Sequence, residues 1–318
     1  MKRRKHHLPW RTAGTASEAE HSADDVVRET GWVFNNRTGG DLTLAEFVRT
    51  GDEEVGAYLQ VFGLAPADAD QGSDDNGSDD NGSDDNGSDD NGSDDNGSDD
   101  NGTIVEIGSG IGRMTAAFTR RFARVIACDL DAAFLERCRE TVAQFGRPDR
   151  LRTVHVADGR LLALPAATAD VVFSYITLQH CQNDDALTLT REAVRVAKPG
   201  GMVALNYRTW TAGDTVLWPA GKLMRGMWRL PRVGKLLARQ RAATRVGWQA
   251  NRLSPSAVMA ELGTSIVDVQ IFRSPKRRSF AIEGTTDRQF EGVHPSHWWL
   301  IARVRSVEAV EVVEVVEA

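Results

Sequence analysis

Two short stretches of this chain hold residues placed for ligand chemistry. The first is Glu106-Ile107-Gly108-Ser109-Gly110-Ile111-Gly112, at the end of a short apolar run, and the second is Cys128-Asp129-Leu130-Asp131, at the end of another. Glycines in such a turn remove Cβ atoms, so a nucleotide-like ligand can touch the backbone while the following helix N-terminus offers free N–H groups. An acid at the tip of the second run is placed to accept both hydroxyls of a ribose, and Asp129 lies 21 residues after Gly108, the interval this arrangement needs. A dinucleotide fold wants Gly or Ala at the sixth position of the glycine pattern, where the helix packs on the sheet. That position is Arg113, which disfavours NAD. A tight strand-to-helix turn is the plain alternative for the glycines taken alone.

These residues need elements to hold them. Apolar runs predict strands at 103–107, 124–128, 152–156, 171–174, 202–206, 266–272 and 298–304, and periodic segments predict helices at 113–122, 132–145, 186–197 and 255–262. Strand and helix alternating at this spacing give right-handed crossovers and a mostly parallel sheet covered on both faces. Asp131 suits the N-cap of the helix from Ala132, and Lys198-Pro199-Gly200-Gly201 suits a turn into a strand. His155 is expected as a buried mid-strand residue. Before this α/β region, Leu44, Phe47 and Val48, then Val55, Tyr58, Leu59 and Phe62, predict two helices separated at Gly51-Asp52 and closed by Gly63.

Residues 72–101 are six copies of Gly-Ser-Asp-Asp-Asn and hold twelve of the acidic groups, so the chain's formal net charge of −7 comes from this tract, and subtracting its twelve negative charges from −7 leaves +5 for the rest of the chain. The tract has no apolar residue to offset its ordering entropy and reads as a disordered spacer. Calcium binding is the alternative, although calcium repeats interleave an apolar residue and end on a bidentate Glu, both lacking here. The organisation expected is an N-terminal arm over 1–40, a helical cover over 41–71, the repeat over 72–102, a ligand-binding domain over 103–306 with a basic insertion at 209–250, and a low-complexity Val/Glu tail over 307–318. Cys128, Cys138 and Cys181 support neither a disulfide framework nor a zinc cluster, and the basic N-terminus has no apolar segment behind it. A cytoplasmic protein is expected.

The residues quoted so far, together with VADGRLLALPAATADVVFSYITLQH (156–180) and RVAKPGG (195–201), resemble the class I (Rossmann-like) S-adenosylmethionine (SAM)-dependent methyltransferases of small-molecule type. Order and spacing agree over 103 to about 208. The resemblance implies a doubly wound α/β fold with a seven-stranded sheet, mostly parallel with an antiparallel C-terminal strand. It also implies SAM as the cofactor, with Glu106, Gly108, Gly110 and Gly112 lining its methionine end and Asp129 binding the ribose. Leu130 would lie against the adenine, Ala157 and Asp158 would read it, and Ser174 and Tyr175 would flank the methyl-donating region. Asp158 precedes Gly159 and suits a turn equally well.

Methyl transfer from SAM needs alignment and exclusion of water, and no metal. His180, just past the fourth strand, is the candidate general base, with a backbone-bonded loop histidine as its alternative. The fourth strand runs on as Ser-Tyr-Ile-Thr instead of the Asn/Asp-Pro-Pro-aromatic sequence that grips planar nitrogens, which argues against nucleic acid as a partner. From Leu217 to Arg245 the chain has eight basic residues, no acidic one, and several large apolar side chains. This composition suits a lid in which Arg225, Arg229 and Arg232 meet a small apolar acceptor with an anionic group, a surface in peripheral contact with anionic membrane, or a solvated face. A SAM-binding protein without catalysis is the alternative function.

Overall fold

A computed structural model describes residues 22–24, 27, 42–64, 102–228, 230–238, 246–247 and 251–306. The repeat at 72–101, the tail at 307–318 and most of the 1–40 arm lie outside the described residues.

Leu44–Phe62 is one helix, α1. The Thr43 side chain accepts from the Glu46 N–H while the Glu46 carboxylate accepts from the Thr43 N–H, and Gly63 ends the helix in the left-handed region at φ 63°. The break expected at Gly51-Asp52 is absent. Gly51 lies against the Arg113 carbonyl, where a Cβ would fall far inside van der Waals contact, so this glycine admits a close backbone approach and does not stop the helix. Gly→Ala in an open helix stabilises by up to about 1 kcal/mol. Gly51→Ala is expected to destabilise instead, by about 2 kcal/mol of overpacking, and a urea titration showing a gain in stability would refute the contact.

The elements that follow are β1 (Thr103–Ile107), α2 (Thr115–Arg121), β2 (Arg124–Asp129), α3 (Ala132–Phe145), β3 (Leu151–His155), β4 (Ala169–Ser174), α4 (Asn183–Val196), β5 (Ala197–Arg208), α5 (Asp214–Met227), α6 (Pro231–Ala238), α7 (Pro255–Leu262), β6 (Ile266–Arg273), β7 (Thr286–Gln289) and β8 (His297–Val304). The strands form one sheet in the order β3-β2-β1-β4-β5-β8-β6-β7, in which β8 runs antiparallel to both β5 and β6 and the other pairings are parallel. The sheet thus has eight strands, not the seven expected. The additional edge strand β7 reads Thr-Asp-Arg-Gln and is largely exposed, so it has no apolar alternation to announce it.

Residues Lys198 to Gly201, expected as a turn, already belong to β5, with a register shift opposite Ala169 and Val171. His155, expected inside a strand and buried, is the exposed last residue of β3 and donates from Nε2 to the Leu130 carbonyl at 3.0 Å. Asp131 does cap α3, accepting from the Ala133 N–H at 2.9 Å.

Apolar side chains fill both faces of the sheet. One layer joins Val105, Val172, Val203 and Leu300 to α4 and α7. The other joins Ile104, Phe173 and Trp299 to α1 and α2, with Tyr58 of α1 at 4.8 Å from the Trp299 ring and Tyr175 stacked on that ring at 5.4 Å. The helix α1 therefore covers the α/β core directly, and aromatic packing fixes it there.

Candidate functional site

In a doubly wound sheet the strands of the central parallel block deliver their C-terminal ends to one edge, and ligand chemistry belongs there. Gly108, Gly110 and Gly112 lie in the left-handed region at φ 82°, 54° and 93°, which is why this turn needs glycine. A Cβ on Gly108 would collide with the Thr177 side chain, so the turn after β1 and the loop after β4 are in direct contact. Arg113, at the sixth position, is buried and pairs with Glu54 of α1 at 2.8 Å, its guanidinium lying 5.8 Å from the Phe47 and Tyr175 rings. That residue fastens the helical cover to the glycine turn.

Asp129 closes the turn from the other side. Its Oδ2 accepts from the Gly110 N–H at 2.8 Å and its Oδ1 from the Asp131 N–H at 2.9 Å, leaving each oxygen free to accept again. Burial raises its pKa to about 6 against the pull of the Asp131 and Gly110 N–H groups. Glu106 is buried beneath the turn, its Oε2 accepting from Thr115 Oγ1 at 2.6 Å, and burial raises its pKa to about 7. It therefore anchors the start of α2 under the cradle.

Leu130 is exposed and reaches over Gly159, and the Val156 N–H donates to the Asp129 carbonyl at 2.8 Å, so the ends of β2 and β3 bring Leu130, Ala157 and Asp158 together. Asp158 Oδ1 accepts from the Arg160 and Leu161 N–H groups at 2.9 and 3.0 Å. Burial opposes its ionisation, but the Leu161 and Arg160 N–H groups prevail and hold the carboxyl below its ordinary value. The turn role is thus built. Ser174 is buried and donates to the Ile107 carbonyl at 3.0 Å, while Tyr175 packs between Trp299 and Tyr58, so both hold β4 in place. Next to them Ile176 sits at φ 52°, a left-handed conformation costly for a β-branched residue and the kind of strain that gathers at ligand sites.

Ligand-linked proton release follows from Asp129. A carboxyl with a folded pKa above its ordinary 3.8 contributes stability at low pH that is lost as pH rises through about 6, because the ionised form is the desolvated one. Ribose hydroxyls bound at Asp129 would donate to that ionised form. Affinity for S-adenosylhomocysteine is therefore expected to rise about tenfold per pH unit toward pH 6 and level above it, a slope that Asp129→Asn should flatten in calorimetry across the range.

Past β4, sequence reasoning missed a polar cluster. His297, at the start of β8, is paired across the sheet with Arg208, and its pKa is pushed down to about 3 by burial first and then by Arg208 and the neighbouring histidines. Neutral His297 donates from Nε2 to Gln179 Oε1, which turns the Gln179 amide nitrogen toward His180 Nε2 at 3.3 Å. His180 is thereby held at Nε2 by a long amide contact. Asn251 fixes the same loop, donating to the Leu178 and Cys181 carbonyls at 2.6 and 2.8 Å. Beside it, fully buried Asp214 accepts from Arg208 at 2.9 Å and from Arg252 at 2.8 Å. Gln179 and His297 are 118 residues apart and Asp214 and Arg252 are 38 apart, so no local pattern signals either pair.

The proposed lid differs from its expected form. Arg225 is half-buried, donates to the Gly247 carbonyl at 3.2 Å, and has its pKa lowered by burial and by Arg252, whereas Arg232 points to solvent on α6. Arg229 lies outside the described residues. Of the two described arginines, one is thus tied to the Gly247 carbonyl and the other is exposed.

A mostly parallel, doubly wound sheet with this glycine turn, a buried acid at the end of β2 and a strained post-β4 loop is a Rossmann-like α/β fold. Residues 105–205 match the family model described as a methyltransferase domain, and this stretch of the chain carries a class I SAM-dependent methyltransferase domain. The chain is 36% identical over 110 residues to the carboxy-S-adenosyl-L-methionine synthase of Pseudomonas fluorescens (strain SBW25), covering 33% of this chain and 44% of the synthase. It is 34% identical over 112 residues to the aclacinomycin 10-hydroxylase RdmB of Streptomyces purpurascens, covering 35% of this chain and 29% of that protein. The chain thus spans less than half the length of these curated relatives. Among solved structures, the CurJ carbon methyltransferase is 18% identical, with 64% of this chain and 48% of that chain covered and a TM-score of 0.40.

Proposed function

We propose that the protein binds SAM at the β1–β2 edge and directs its methyl group to a small acceptor that is mainly apolar and carries an anionic group. The observation that supports this best is the Asp129 carboxylate, each of whose oxygens holds one turn N–H and keeps a lone pair for a vicinal diol. The residues fit the cofactor. Gly108, Gly110 and Gly112 open the cradle, Glu106 supports it from beneath, Leu130, Ala157 and Asp158 assemble on the adenine side, and Ser174 and Tyr175 set the strand end from which the methyl would be approached. When bound, SAM supplies an electrophilic methyl on a sulfonium.

The chain's own part is to position and desolvate. The loop from Ile176 to Cys181 faces the cradle through Thr177 and is clamped by Asn251, so an acceptor above it meets a fixed floor. Arg225 and Arg252 give that side of the site a positive potential suited to a carboxylate or phosphate. His180 serves as general base only if the long Gln179 contact at its Nε2 opens. We propose no nucleic-acid partner, since Ser174-Tyr175-Ile176-Thr177 offers no clamp for a planar amine. We also propose a cytoplasmic location. Among the described residues no helix is long and apolar enough to cross a membrane.

The relatives' names include a carboxy-SAM synthase and a hydroxylase, so the alternatives kept are another reaction on bound SAM and SAM binding without turnover. Binding and turnover are measured separately. Calorimetry should show SAM and S-adenosylhomocysteine binding. Incubation of metabolite extract with enzyme and SAM should give a product heavier by one CH2. A different mass gain would replace methyl transfer with another group transfer, and binding without any product would support the inactive reading.

A further inference from the structure

The helix α5 is turned inside out. Its buried positions are Asp214 and Gly221, with Arg225 half-buried and Trp228 buried just beyond, while its outer face presents Val216 at 71% and Leu223 at 66% exposure, one heptad apart. Eight of the eleven exposed large apolar side chains among the described residues lie between Trp210 and Leu236, including Val233 and Leu236 of α6. A helix that buries Asp214 while Val216 and Leu223 stay exposed has an outer face suited to an apolar phase. Asp214 and Arg225 lie on the inward side of α5, away from these aliphatics.

We infer that the outer face of α5 and α6 docks on an anionic lipid bilayer. Charge selects the occupant. Lys222 and Arg232 are exposed beside the aliphatics, and the sequence from Leu217 to Arg245 has no carboxylate to offset them, so the described surface attracts phospholipid headgroups and repels a second copy of itself. Trp210 and Trp218 lie 5.9 Å apart, and Lys222 sits 5.6 Å from the Trp218 ring, an amphipathic pairing suited to the headgroup boundary. The docking stands independently of the reaction proposed above.

The test is co-sedimentation of the full chain with phosphatidylcholine vesicles, with and without phosphatidylglycerol. The wild type should bind the phosphatidylglycerol vesicles, less at high salt, and should leave pure phosphatidylcholine mostly unbound. Lys222→Gln/Arg232→Gln should weaken the partition about thirtyfold, and Val216→Ser/Leu223→Ser about tenfold. Both variants change exposed side chains only, so SAM affinity and melting temperature should stay at wild-type values. Four results would each overturn the inference: no wild-type binding, equal binding by the variants, a wild-type dimer in sedimentation velocity that Val216→Ser/Leu223→Ser dissolves, or loss of SAM affinity in either variant.

Discussion

Replacing Asp214 by Ala is expected to destabilise the protein by about 3–5 kcal/mol, a large share of the roughly 5–15 kcal/mol that holds a domain folded. The carboxylate is fully buried between two buried arginines, Arg208 and Arg252, and its second oxygen accepts from the Thr211 N–H and hydroxyl at 2.8 Å. Burial alone would raise its pKa, but the bonds from Arg252 and Arg208 outweigh it and hold the carboxyl well below the ordinary range. A folded pKa below the ordinary 3.8 contributes stability that is present above that value and lost as pH falls through it. The variant should therefore lie furthest below wild type at neutral pH and approach it in acid.

The size of the loss comes from what is left behind. Without Asp214, two buried guanidinium groups lose the carboxylate they share. Arg252→Met added to Asp214→Ala should consequently restore about 1–2 kcal/mol, because it removes one of the two buried charges that shared the carboxylate. Urea denaturation of wild type, single and double variants reads both numbers. A single-variant loss under about 1 kcal/mol would show that water reaches the cluster and that α5 is held by other contacts.

Much of this molecule was legible in its sequence because apolar patterning and glycine punctuation are local signals. Strands from Thr103 to Arg208, the Asp131 cap and the helix Pro255–Leu262 all follow from such patterns. The features that escaped share a different origin. Gly51 looked like a helix break because glycine carries one local meaning, whereas its actual neighbour is the carbonyl of Arg113, 62 residues away. Strand β7 is polar and half of an edge pairing, so only Ile271 and Phe272 beside it reveal it. The Gln179–His297 pairing exists because β8 inserts antiparallel between β5 and β6, which brings the start of β8 to the same edge as the ends of the parallel strands, and the Asp214–Arg252 pairing because the Leu253 N–H donates to the Arg208 carbonyl at 2.8 Å and lays that segment on the end of β5. Candidate residues in the glycine turn could be named from spacing. The polar cluster opposite them required the sheet order.

Replacing Asp129 by Ala should weaken binding of SAM and S-adenosylhomocysteine by on the order of a hundredfold, the equivalent of one or two charge-assisted hydrogen bonds. Two losses add. The ribose hydroxyls lose their shared acceptor, and the Gly110 and Asp131 N–H groups lose theirs, so the cradle itself relaxes. Asp129→Asn separates these contributions, since an amide oxygen still accepts one backbone N–H and one hydroxyl while the charge is gone. The Asn variant should bind more tightly than the Ala variant and more weakly than wild type at neutral pH. Removing a buried carboxyl whose pKa is raised to about 6 also removes a desolvation cost that offsets part of the two lost backbone acceptors, so the folded variant should lose no more than about 1–2 kcal/mol above that pH. Weakened binding together with a largely retained melting temperature is the signature of a ligand-holding acid. An Asp129→Ala protein that keeps its affinity and loses its fold would move this residue from the ligand site to the frame.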